Sequence, residues 1–172
     1  MEVFMTYYPM KAPRNAAIFT LVCFVLTAGL YTLGQLGFGF RMVFQLAALI
    51  TLSVGIMMAS RYVLTDYKYV ISDIDRRDGS MSFSIVRVNG KREVEVAHFD
   101  MTSIYAYGRA RSLGEFEREH GRVDKVYNYT SNYRSGEQYR IAINFNQKKI
   151  MFVIDSSDAF ASEIEKRLCP EV

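Results

Sequence analysis

Almost every signature of an enzyme or a nucleic-acid binder is missing from these 172 residues. The chain has two cysteines and two histidines. Cys23 falls inside an apolar run and Cys169 at the end of the last predicted helix, too far apart in topology to pair. No disulfide framework exists, which suits a reducing compartment. His98 and His120 have no further His or Cys near them in sequence, so spacing assembles no metal set. Neither a glycine-rich phosphate loop nor a nucleophile motif is present. Residues 62–172 hold 17 basic and 17 acidic groups. That balance argues against the basic stripe a nucleic-acid partner needs, and against strong attraction to anionic lipid through net charge alone. The expectation is no enzyme, no cofactor, no metal and no nucleic acid.

Charge itself is missing from two long stretches. Asn15 to Phe40 carries no Asp, Glu, Lys or Arg across 26 positions, and Met42 to Ser60 none across 19. A helix of roughly 20 apolar residues crosses the hydrocarbon core of a bilayer. A pair of core helices in a soluble protein would normally show a polar stripe; here only a few Thr, Ser and Gln interrupt the runs. The first run is too long for a signal-peptide core, and a second follows directly. The sequence therefore predicts a transmembrane hairpin with spans at about 15–34 and 42–60. Neither span holds an ionisable group, the usual mark of an ion or substrate path. Lys11 and Arg14 precede the hairpin and Arg61 and Lys68 follow it, so the positive-inside rule sets both termini in the cytoplasm. Arg41 alone dissents, and it can snorkel to the outer headgroups. Small residues Ala47, Ala48, Ser53, Gly55 and Ala59 are candidates for close helix approach.

Beyond Arg61 the texture changes to short alternating segments. Strands are predicted at Val63–Ile71, Met81–Val88, Glu93–Phe99, Met101–Tyr107, Lys125–Thr130, Gln138–Phe145 and Lys149–Ile154. Asn89-Gly90 is a hairpin signal between the second and third, and Asn146-Gln147 a turn between the last two. One helix closes the chain: Ser156 or Ser157 caps it, Asp158 suits its positive end, Phe160, Ile164 and Leu168 form an apolar stripe, and Pro170 stops it. The fold class expected is α+β: a two-helix transmembrane hairpin, then a seven-stranded antiparallel barrel or sandwich plugged by a C-terminal helix.

Seven strands followed by a capping helix is similar to the pleckstrin-homology-like (PH-like) fold. Tyr62-Val63-Leu64-Thr65-Asp66-Tyr67-Lys68 resembles the opening strand of bacterial PH-like domains, which often follow a two-span hairpin. His98 to Ile104 resembles the polar turn between their third and fourth strands. The chain thus resembles bacterial PH-like (YcxB-type) two-span membrane proteins. The resemblance implies residues 1–61 as N-terminal tail and hairpin, and residues 62–172 as a cytoplasmic PH-like domain at a multi-pass bacterial cell membrane.

Two segments offer contacts. Arg76 and Arg77, between the first two strands, are candidates for a headgroup or peptide contact, although Asp73, Asp75 and Asp78 bracket them. The insertion Gly108–Asp124 carries four arginines and four acids. Within it Arg109, Arg111, Glu115, Arg118 and Arg122 are candidates for a partner-docking loop, with a mobile charged loop equally open. His98 alternates with Val94 and Val96 and is predicted packed or half-buried; His120 is predicted solvated. The partners expected are the lipid bilayer and a protein partner or a second copy of the chain. Two function classes remain: a membrane-anchored, non-enzymatic binding or scaffold module, and an accessory subunit of a membrane transporter or envelope-stress complex.

Overall fold

The computed structural model describes residues 2–9, 14–36, 40–75, 80–110, 112–132 and 138–168. Its elements are β1 (Glu2–Tyr7), α1 (Arg14–Gln35), α2 (Arg41–Met58), β2 (Asp66–Asp75), β3 (Ser80–Asn89), β4 (Arg92–Asp100), β5 (Ile104–Arg109), α3 (Leu113–His120), β6 (Lys125–Asn128), β7 (Gln138–Phe145), β8 (Lys148–Asp155) and α4 (Asp158–Leu168). They fall into two compact units. One comprises Lys11–Asp66; the other joins Met1–Met10 to Tyr67–Val172.

The first unit is the helix pair. Asn15–Gln35 and Arg41–Val63 each have a mean hydropathy of 2.1, and at 1.5 Å per residue each is about 30 Å long. Both are long and apolar enough to cross a bilayer. Leu21, Val25, Met42 and Leu49 are more than half exposed. Several hydroxyls along the helices are satisfied locally: Thr27 donates to the Cys23 carbonyl at 2.8 Å, Thr51 to Ala47 at 2.8 Å and Ser53 to Leu49 at 2.9 Å, whereas the buried Thr20 hydroxyl makes no hydrogen bond. Small side chains line the seam, with Ala16, Thr20 and Cys23 buried on α1, and Ala48 and Gly55 on α2. A Cβ on Gly55 would sit 3.0 Å from the Cys23 Cβ, which leaves little room for any larger residue. Ser53 is exposed and takes no part. The second helix does not stop at Ser60. It runs on as a π-helical turn, Ala59–Val63, and the Leu64 amide reaches back to the Ala59 carbonyl at 2.9 Å. β2 consequently starts at Asp66 rather than Val63.

The second unit corrects the expected seven-stranded barrel. Among the described residues eight strands form two four-stranded sheets, ordered β1-β2-β3-β4 and β5-β7-β8-β6. The additional strand is β1, which precedes the helices and pairs antiparallel with β2, Tyr7 opposite Tyr69. Residues Glu2–Tyr7, which the sequence groups with the hairpin, therefore lie in the sheet. Nor is the pairing wholly antiparallel: β6 runs parallel to β8, Lys125 opposite Ile150 and Asn128 opposite Val153. Met101–Ser103 is a 3-10 turn capped by the Asp100 carboxylate, so β5 begins only at Ile104.

Alternation fixes the core. Tyr67, Tyr69 and Ile71 of β2, Phe83 and Ile85 of β3, Tyr139, Ile141 and Ile143 of β7, and Phe152 and Ile154 of β8 meet in one cluster. Phe99 and Phe152 stack across the two sheets at 5.1 Å. α4 contributes Phe160, Ala161 and Ile164 to this cluster, and Ser157 caps its first turn by accepting the Phe160 amide.

Both tight hairpins depend on left-handed residues. Asn89 pairs with Arg92, so the β3–β4 turn is Gly90-Lys91, with only Gly90 at positive φ (+59°). This is a glycine-first turn, one residue later than the Asn-Gly reading. The β7–β8 turn, Asn146-Gln147, has φ of 48° and 63°. Asn tolerates that region, whereas Gln does so at a cost of roughly 1 kcal/mol. Gln147→Gly should therefore raise stability by about 1 kcal/mol, and a urea midpoint that falls instead would refute the strain.

Candidate functional site

β5 is the end strand of its sheet among the described residues. Beside it opens a groove of about 590 Å³, lined by Ile104, Tyr105, Ala106 and Tyr107 of β5 and by Glu165 and Leu168 of α4. The volume falls within the range of ligand sites. The groove follows from two periodicities. A β-bulge between Ile104 and Ala106 breaks the regular alternation on β5. On α4, Phe160 and Ile164 turn into the core, leaving Glu165 and Leu168 toward the edge strand.

Tyr107 stacks on Tyr139 at 5.7 Å and 13°. Burial pushes the Tyr107 hydroxyl well above its ordinary range, so it stays protonated. The Tyr139 hydroxyl donates to Asp158 Oδ1 at 2.8 Å. Burial first, and then this aspartate, raise its pKa as well. Arg109 closes that end: its guanidinium lies 5.8 Å above the Tyr139 ring and its Nη1 is 3.7 Å from Asp158 Oδ1. Among the described lining residues Glu165 is the one carboxylate. The result is an apolar, aromatic trough with a single negative group, beside a strand edge. It can hold an extended chain segment. Among its described lining residues no nucleophile is paired with a base.

The predicted contact residues are dispersed. Arg76, Arg77 and Arg111 lie outside the described residues. Arg109 belongs to β5 and the end of the groove. Within the 108–124 insertion Leu113–His120 fold as α3, which Ser112 caps by accepting the Glu115 amide at 3.2 Å. Phe116, 1 % exposed, packs with Ala106, Ala110, Val123, Ala142, Met151 and Val153 on the outer face of the second sheet. Glu115 stands in the first turn of α3 and Arg118 in its last. Both are exposed, as is Arg122 beyond the helix.

Of the packed or half-buried side chain expected at His98, the half-buried form is found, on the outer face of its sheet. A bulge between Ile85 and Val86 leaves Val96 unpaired. Val96 leans on the core while His98 faces outward, 2.8 Å from the Ser84 hydroxyl, with 46 % of its side chain exposed. His120 is partly covered by the Phe116 ring at 4.6 Å. Among the described residues no group of three or more His, Cys, Asp or Glu side chains could hold a metal ion. The carboxylate of Asp155 is buried, but it is committed to structure: it accepts the amides of Ser131 at 2.7 Å and Asn132 at 3.0 Å.

Sequence reasoning missed Tyr105, Tyr107 and Glu165. The signal available was the aromatic pair at alternate positions of a strand whose neighbours are unknown until the sheets are ordered. Comparison of the chain with family models, with curated proteins and with solved structures gives no match.

Proposed function

We propose that the chain is a membrane-anchored, non-enzymatic binding module of PH-like type, held at the inner face of a bacterial membrane by its two apolar helices. The β-rich unit takes an extended segment of a partner protein against β5. The observation that carries this reading is the trough between an end strand and α4. Strand addition supplies main-chain hydrogen bonds, and pockets for alternate side chains supply selectivity. Three supports bear on the anchoring. The exposed faces of α1 and α2 are apolar. β1 and β2 flank the hairpin and are neighbours in one sheet, so a bilayer crossed by both helices leaves them on the same side. The Lys11, Arg14, Arg61 and Lys68 flanks make that side the cytoplasmic one.

The test is an array of short peptides probed with the full-length protein in mild detergent. Bound peptides should alternate apolar residues and carry Lys or Arg opposite Glu165. Glu165→Lys should weaken them about tenfold, equivalent to about 1.4 kcal/mol. No selection on the array, or a selection indifferent to Glu165→Lys, would remove the groove from the proposal. A stable complex with a transporter subunit that survives Glu165→Lys would favour the accessory-subunit reading.

A further inference from the structure

Arg140 lies in β7, opposite Gly108 of β5 and Val153 of β8. Its neighbours Tyr139 and Ile141 point into the core, so Arg140 shares the outer face with Ala142, the face that α3 covers through Phe116. Among the described residues it is the one buried cation, 6 % exposed. Its Nε and Nη1 make no hydrogen bond and touch no solvent. Phe116, Ala142, Met151 and Val153 of this cluster offer it no acceptor. Burial lowers the pKa of Arg140, and Glu115 in the first turn of α3 partly restores it. A buried cation whose donors lack acceptors is strongly destabilising, and an apolar side chain of similar volume is normally better tolerated.

Two features beside it are suited to an anion. α3 presents its N-terminal turn, where Ser112 takes the Glu115 amide and the Leu113 and Gly114 amides are first-turn donors without helical acceptors. There is also room. A Cβ built on Gly108 meets nothing within 4 Å, and the same holds at Gly114. The flexible Arg140 stem can swing the guanidinium into the space beside its cross-strand partner.

We infer that the outer face of the second sheet, at the first turn of α3, is an oxyanion site in which Arg140 supplies the charge and the Leu113 and Gly114 amides supply hydrogen bonds to a phosphate group. The phosphate is either free in the cytoplasm or carried by a lipid headgroup. This site shares β5 with the peptide trough but draws its charge from Arg140 and its amides from α3, and it stands whether or not that reading holds.

The experiment measures the thermal midpoint of the full-length protein in mild detergent against inorganic phosphate, with chloride at matched ionic strength as control. Phosphate should raise the midpoint saturably by about 3 °C, and chloride should not. Arg140→Met should abolish the response without lowering the basal midpoint. Gly108→Val, which fills the space and leaves the arginine in place, should abolish it too. In a parallel arm the protein is reconstituted into phosphatidylcholine vesicles with or without phosphatidylglycerol. A rise in midpoint with phosphatidylglycerol that requires Arg140, without a response to inorganic phosphate, assigns the group to a headgroup. If wild type responds to neither probe, or if Gly108→Val responds as wild type does, the site does not exist. A lowered basal midpoint in Arg140→Met together with no response in wild type makes Arg140 a structural residue.

Discussion

Deleting residues 2–9 should cost the β-rich unit more stability than any single substitution within it. β1 is a short edge strand, but Tyr7 is central to the packing at the α4 end. Its ring stacks on Phe160 at 4.5 Å and lies 6.2 Å from Tyr69. Its hydroxyl accepts the Ser157 amide at 3.0 Å, where α4 starts. Phe4 lies under the Arg167 guanidinium at 3.8 Å, which ties the other end of α4 to the same strand. Tyr7→Ala alone should cost about 2–3 kcal/mol, less than a fully buried aromatic because Tyr7 is half-buried. For a unit of this size that lowers the thermal midpoint by about 10 °C. A sharper comparison uses two soluble chains. One carries residues 2–9 joined by a short Gly-Ser linker to residues 66–168; the other begins at residue 62. The first should melt cooperatively and at a clearly higher temperature. Equal midpoints would show that β1 contributes nothing.

Phe160→Ala should be the most damaging single change in the described core. The side chain is 1 % exposed and packs on the aromatic layer of the first sheet, with ring centres 6.3 Å from Tyr69 and 6.4 Å from Phe83. Truncating a buried phenylalanine costs about 3–5 kcal/mol in transfer and cavity terms. That is a large share of the 5–15 kcal/mol typical of a domain. The urea midpoint should fall at constant slope, since the same surface is exposed on unfolding. Phe160→Leu should retain most of the stability. An unchanged midpoint in Phe160→Ala would mean that α4 does not close the core.

What the sequence made legible was local. Two uncharged runs announce the helices because charge is expensive in an apolar environment. β3, β7 and β8 announce themselves by alternation, and Phe160, Ile164 and Leu168 by helical spacing. What stayed hidden depends on pairing at a distance. Glu2 to Tyr7 hides its strand because Val3, Phe4 and Met5 run together without alternation, a bulge shifts the register there, and the partner strand begins only after both helices. The parallel docking of β6 on β8 cannot be read from either segment. Arg140 looks like an ordinary outward charge on a strand, because its burial depends on α3 folding over that face. The same holds for the trough: Tyr107 and Glu165 are unremarkable alone and meaningful only once β5 is known to end its sheet.

The position of the helix pair between β1 and β2 also dictates an order of events during synthesis. β1 leaves the ribosome first and has no partner until both helices and β2 have been made. The Ser157 amide and the Phe160 ring, which Tyr7 needs to settle, arrive last. A free loop of that length would oppose closure by its chain entropy. A hairpin already inserted removes most of that cost by holding its two ends on one side of the bilayer. Under the proposed anchoring, membrane insertion thus comes before completion of the sheet, and pairing of β1 without insertion carries the full entropic cost of closing that loop.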